Sequence, residues 1–245
     1  ESDMNLINNF LFIALPYVAI VVFLVGAIYR YRATGFKYSS LSSQFLEGGG
    51  IYIFAVLFHW GILIVFLGHL IAFLIPDVIL AWHSSAVRLI AAEIVIFTFG
   101  LGVLIGLAGL FIRRISHPRL RVVTSRMDIV IELLLLAQIV LGLWVALGYR
   151  WGYYWFAADL SPYLWSIVKL SPQIEAVSAM PLVIKAHIVW AFVILGMIPF
   201  TRLVHFLVAP FHYIWRPYQR VVWYWDRARI RDPKTAWSET RPRNN

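Results

Sequence analysis

The sequence predicts an all-α integral membrane protein: five transmembrane helices in a bundle, N-terminus outside and C-terminus cytoplasmic. Three observations predict it. Hydrophobic residues make up 61% of the 245 residues and charged residues 13%, against about 45–50% and about 25% in a soluble domain. Five stretches reach the roughly 20 mostly apolar residues that a hydrocarbon layer about 30 Å thick demands. Lys and Arg crowd one set of connections.

The five stretches are 9–28, 51–75, 89–112, 129–147 and 182–208. The N-terminal residues Glu1, Ser2 and Asp3 form no basic leader, so no cleavable signal peptide is expected. Orientation follows from the cations. One side receives Arg30, Arg32 and Lys37, then Arg113, Arg114, Arg119, Arg121 and Arg126, then Arg202 and the basic tail, 17 of the 21 Lys and Arg. The other side holds Arg88, Arg150, Lys169 and Lys185. This split puts the Arg-rich side in the cytoplasm, with spans two and five antiparallel.

Two domains are expected: a five-helix transmembrane domain over 1–210 and a basic, aromatic cytoplasmic tail over 211–245. The long outer connection, 151–180, is dense in Trp and Tyr. Aromatics of that density suit the headgroup zone, so a segment lying on the bilayer is expected. The tail mixes Arg with Trp215, Tyr218, Trp223, Tyr224 and Trp225. That pattern can bind RNA or single-stranded DNA. After five spans, anionic lipid or a soluble partner subunit ranks well above nucleic acid. With no cysteine in the chain, disulfides, thiolate zinc, cysteine-ligated iron–sulfur clusters and a cysteine nucleophile are excluded.

Seven histidines are present. His83, His117 and His212 fall in connections or the tail and read as surface residues. His59 and His69 lie in the second span, and His187 and His205 in the fifth. An imidazole in hydrocarbon is costly without a partner. One such histidine would read as bonded to a carbonyl or hydroxyl. Two on each of two spans point to metal ligation, and haem iron commonly takes axial His. Antiparallel spans then pair His59 with His205 near the inside, and His69 with His187 near the outside. Each pair could clamp one b-type haem. With both axial positions filled, the chemistry is one-electron transfer rather than oxygen binding.

Helix arithmetic supports this in part. The 18 residues from His187 to His205 give about 1800° of turn, so both point the same way, and about 27 Å of rise. The 10 residues from His59 to His69 leave about 80° and about 15 Å. The unequal rises require tilt, or a kink at Pro199. Gly61, Gly68 and Gly196 sit near the histidines, where a macrocycle needs a missing side chain. Close helix approach explains them equally well. Arg202, Arg113 and Arg114 are candidate partners for haem propionates, or positive-inside anchors.

At these residues the sequence resembles the membrane cytochrome b (gamma) subunit family of respiratory nitrate reductase. The resemblance lies in Leu57-Phe58-His59-Trp60-Gly61-Ile62-Leu63 through Gly68-His69 and in His187 with Gly196-Met197. It extends to Pro199-Phe200-Thr201-Arg202-Leu203-Val204-His205, Ser42-Ser43-Gln44 and Arg113-Arg114 with Pro118-Arg119, and covers about 5–215. It implies two bis-His b haems at the pairs above and quinol oxidation beside the outer haem, with Gly68 at the quinol. It implies electron transfer to an iron–sulfur subunit and a molybdenum catalytic subunit on the cytoplasmic face of the inner membrane. The family carries a Lys in its quinol pocket where this chain has Arg88, which keeps the charge but cannot release a proton.

Quinol oxidation also needs a proton acceptor. Glu93, set among apolar neighbours one turn or so past Arg88, is a candidate; a local partnership with Arg88 is the alternative. Glu132 reads as bonding a neighbouring helix. Two other readings remain. A similar cytochrome could serve a heterodisulfide or sulfur-cycle complex, or a nitrite-oxidising one with electrons reversed. A haem-free anchor or transporter would use its four histidines as internal polar contacts.

Overall fold

The computed structural model describes residues 2–33 and 51–208. Five long helices dominate them, each long and apolar enough to cross a membrane. Helix α1 runs from Ser2–Asn9 through a π turn at Phe10–Ala14 into Leu15–Ala33. The others are α2 (Ile51–Leu74), α3 (Ala86–Ser116), α4 (Arg126–Gly148) and α5 (Leu182–Met197). Lys37, Ser42-Ser43-Gln44, His212 and the whole tail 211–245 lie outside the described residues.

The helices pack in the order α2 on α3, α3 on α4, α4 on α5 and α5 on α1. Glycine sets the α2–α3 approach. A Cβ on Gly61 would come within 2.6 Å of Val103 Cγ2, and one on Gly106 within 2.8 Å of the Phe54 carbonyl oxygen. Small residues let backbones close in this way where lipid supplies no hydrophobic drive. Arg30, Arg114 and Arg202 gather at one end, here the arginine-rich end, through contacts with Pro199, Asp128 and each other's neighbours. At that end α4 opens on a capping box. The Ser125 hydroxyl accepts from Asp128 N–H at 3.1 Å, and Ser125 N–H donates to Asp128 Oδ2 at 2.9 Å.

The fifth span differs from a straight rod. It ends as α-helix at Met197, tightens to a 3₁₀ turn over Ile198–Phe200, breaks at extended Thr201, and resumes as a 3₁₀ helix over Arg202–Val208. His187 and His205 are therefore not on one continuous helix, and the 18-residue turn arithmetic does not apply. Pro199 has no N–H to give the ladder. Arg30 spans the break, donating through Nη1 to the carbonyls of Pro199 at 2.6 Å and Thr201 at 2.7 Å.

The connection 151–180, expected to lie on the bilayer, packs against the helix bundle. It folds into short helices at Gly152–Trp155, Ser161–Val168 and Glu175–Ala179, with a π turn at Phe156–Leu160. Leu160, Ser161, Tyr163, Ile167 and Val177 are buried within it, packed on α1, α4 and α5. The reason lies in prolines on the helices it meets. Pro16 cannot donate to Phe12, and Pro76 cannot donate to Ala72. The Tyr163 hydroxyl donates to the Phe12 carbonyl at 2.9 Å, and the Ser161 hydroxyl to that of Ala72 at 3.0 Å. Trp165 Nε1 adds a bond to the Phe73 carbonyl at 2.8 Å. A headgroup-level strip would leave those carbonyls unsatisfied.

Candidate functional site

His59 on α2 faces His205 on the 3₁₀ helix beyond α5, although α2 and α5 do not pack closely. At the arginine-rich end the rings of His59 and His205 have centres 6.5 Å apart, with planes at 68°. Both rings are held the same way. His59 Nδ1–H donates to the Ala55 carbonyl at 2.7 Å, and His205 Nδ1–H to that of Arg202 at 2.7 Å. A carbonyl only accepts, so Nδ1 carries a proton, and in the neutral ring Nε2 has the lone pair. This is the arrangement that orients a ligating imidazole. A metal held between two such nitrogens, with bonds of about 2 Å, needs ring centres roughly 6 Å apart. The donor set fits a bis-His iron.

At the far end, His69 Nδ1–H donates to the Val65 carbonyl at 2.8 Å, and its ring meets Phe156 edge-on at 5.2 Å. His187 lies within electrostatic reach of His69. Gln138 Nε2 is 3.4 Å from His187 Nε2, and His187 Nδ1 is buried without a hydrogen-bond partner among the described residues. A Cβ on Gly142 would stand 3.0 Å from His187 Cε1, so α4 gives the ring its room by omitting a side chain.

The glycines singled out in the sequence serve the helix approach instead. Gly61 faces α3, Gly68 meets Ile96 of α3 at 2.7 Å from a notional Cβ, and Gly196 meets Ala19 of α1 at 3.6 Å. Gly68 does reach the far-end site through its carbonyl, described below.

Two of the candidate propionate arginines are engaged with carboxylates. Arg202 Nε lies 2.6 Å from Asp128 Oδ1, and its Nη2 donates to Oδ2 at 2.8 Å. Arg114 Nε lies 2.7 Å from Glu132 Oε1, which gives Glu132 its interhelical partner. Arg113, in the last turn of α3, is also engaged.

Tyr153 organises the far end. Its hydroxyl donates to the Gly68 carbonyl at 3.0 Å, and its backbone N–H donates to Glu93 Oε1 at 2.7 Å. Glu93 is thus partnered by this residue and not by Arg88. Arg88 turns into its own loop, with Nε donating to the Trp82 carbonyl at 2.6 Å and Nη2 to the Ser84 hydroxyl at 3.1 Å. His83, expected at the surface, is only 4% exposed. Its ring sits edge-on to Tyr153 at 4.9 Å and to Trp82 at 5.4 Å. The hydrophobic rings close over it from two sides, a burial that its place in a short polar connection gave no sign of.

Comparison with known proteins fits this arrangement. A family model described as nitrate reductase gamma subunit matches residues 8–224. The chain belongs to that family. It is therefore a gamma-type membrane subunit of an electron-transport complex. It is 34% identical to the respiratory nitrate reductase 2 gamma chain of Escherichia coli over 218 residues, 88% of this chain and 96% of that one. It is 32% identical to the nitrate reductase gamma chain of Bacillus subtilis over 213 residues, 83% and 93% of the two. It is 30% identical to the nitrate reductase-like protein NarX of Mycobacterium tuberculosis over 222 residues, 87% of this chain but 34% of that longer one.

Four residues around these histidines were not singled out from the sequence. Gln138 and Gly142 lie four apart on α4, so they share the face that meets His187, a signal visible only once α4 is known to neighbour α5. Asp128 carried a readable capping-box pattern with Ser125, yet nothing local tied it to Arg202. Tyr153 was hidden among the aromatics of its segment.

Proposed function

We propose that the chain is the dihaem cytochrome b subunit of a nitrate-reductase-like complex, oxidising quinol near the outer face of the inner membrane. Family membership supports b haems, and the opposed rings of His59 and His205 carry the assignment to residues. One haem would be held by His59 and His205, the other by His69 and His187. In this reading the arginine-rich end is cytoplasmic, the N-terminus is outside, and 1–210 is the membrane domain with 211–245 as its cytoplasmic tail.

Bound haem iron supplies one-electron acceptance and donation. The chain's own residues do the rest. The Ala55, Val65 and Arg202 carbonyls fix three imidazoles with Nε2 as the free base. Gly142 keeps His187 unobstructed. Glu93 and Arg88 would line the quinol pocket at the far end, with Gly68 beside them. Glu93 can take a proton there; Arg88, always charged, can only hold and orient. Electrons taken up at this end would leave at the arginine-rich end to an iron–sulfur subunit and then a molybdenum subunit. Protons left outside while electrons move inward would make the transfer electrogenic.

Replacing His69 or His187 by Ala in the assembled complex tests the outer pair. Each variant should lose one of two haems and stop oxidising quinol. Two haems and full turnover in both variants would refute the pairing.

A further inference from the structure

His83 places a second proton-accepting group, besides Glu93, at the far end of the bundle. It is 4% exposed, and among the described residues neither of its buried ring nitrogens has a hydrogen-bond partner. Leaving a buried polar group unmade costs about 1–3 kcal/mol, so native structures rarely do it without cause. Its neighbours define where it sits. The Tyr153 ring lies 4.9 Å away, and the same tyrosine's hydroxyl is bonded to the carbonyl of Gly68, the residue before His69. One tyrosine thus joins the unpartnered imidazole to the helix turn that carries the outer ligand. The charged and titratable groups facing His83 are Arg88 from α3 and Tyr153 itself, with Glu93 beyond, on the Tyr153 backbone.

We propose that His83 accepts the hydroxyl proton of quinol at the far end of the bundle. The inference rests on the quinol-oxidising reading above and adds to it a group, distinct from Glu93, that takes the first proton from the quinol hydroxyl. The quinol O–H bond breaks as an N–H bond forms on the His83 imidazole. The electron released would pass to the haem that His69 and His187 would hold, which supplies the one-electron acceptor. His83 then returns the proton to water at that face, and the second proton and electron leave in the same way. Burial, and then the Arg88 cation, hold the His83 pKa below the usual histidine value. Neutral His83 is the competent form, so the rate should fall as pH drops through that lowered pKa, below about 6.5. Arg88 cannot substitute, having no proton to exchange in this range.

The test uses the intact complex with its partner subunits, and tetramethylbenzoquinol as the probe. Single-turnover haem reduction is followed against pH in the natural protein, in His83→Gln, and in His83→Ala with and without imidazole. We expect His83→Gln to slow quinol-driven haem reduction about 100-fold or more and to erase the acid limb of the pH profile. Dithionite should still reduce both haems fully. Added imidazole should restore rate to His83→Ala. A His83→Gln variant with natural rate and pH profile overturns the proposal. If that variant does not assemble, the alanine variant decides: rescue by imidazole supports the role and its absence overturns it. Failure of quinol to reduce haem in the natural protein would instead refute the quinol reading itself.

Discussion

Asp128 grips Arg202 at two points, Oδ1 to Nε at 2.6 Å and Oδ2 to Nη2 at 2.8 Å. Asp128 is 4% exposed, so this is a buried ion pair. The same Arg202 offers its carbonyl to His205 Nδ1. A carboxylate at the start of α4 therefore sets the backbone that orients an imidazole beyond the α5 break. Arg114 closes the group through Asp128 at 3.9 Å and Glu132 at 2.7 Å.

Asp128→Asn should disturb the haem at the arginine-rich end while sparing the other. Asn keeps the shape of Asp128 but not its charge, so the grip on Arg202 weakens and the carbonyl that holds the His205 ring is less firmly placed. Redox titration of the α-bands should show the inner midpoint potential displaced and the outer unchanged, with partial recovery in Asp128→Glu. Two unaltered potentials would remove Asp128 from the support of His205.

Gly142 and Gly196 should respond oppositely. At Gly142 a Cβ would stand 3.0 Å from His187 Cε1, so Gly142→Leu should drive the ring from its position and halve the haem content. At Gly196 the nearest atoms are at 3.6 Å and 3.8 Å, ordinary contact, so Gly196→Ala should keep both haems. Pyridine haemochrome assay of the two purified variants makes the comparison. Equal haem in both would show that His187 needs no cleared face.

Arg88→Ala should weaken quinol turnover and leave both haems in place. Arg88 ties the loop that carries His83 by bonds to the Trp82 carbonyl and the Ser84 hydroxyl, with its guanidinium 5.8 Å over the Trp82 ring. The expected pattern is a KM raised several-fold, since the loop and its charge position quinol. Unchanged turnover would remove Arg88 from the pocket.

The five spans were legible because length and apolarity alone decide what crosses a bilayer. The opposition of His59 and His205 was also legible, since antiparallel spans leave few ways to pair four histidines. What stayed hidden depends on contacts distant in sequence. Tyr163 and Phe12 are 151 residues apart, and only the fold shows that a proline-freed carbonyl waits for that hydroxyl. His83 reads as a loop histidine until Tyr153 is placed against it. Gly61, Gly68 and Gly196 were visible as a cluster, but a glycine beside a histidine in sequence need not face it. Each faces the neighbouring helix instead. The break at Thr201 was foreshadowed by Pro199, while its repair by Arg30 from α1 was not.

Haem and iron content of the chain, purified in its complex and recorded as a reduced-minus-oxidised visible spectrum, tests the central claim most directly. Two b-type haems per chain, one lost on removal of either member of each histidine pair, is the result expected. A colourless chain without iron would contradict it.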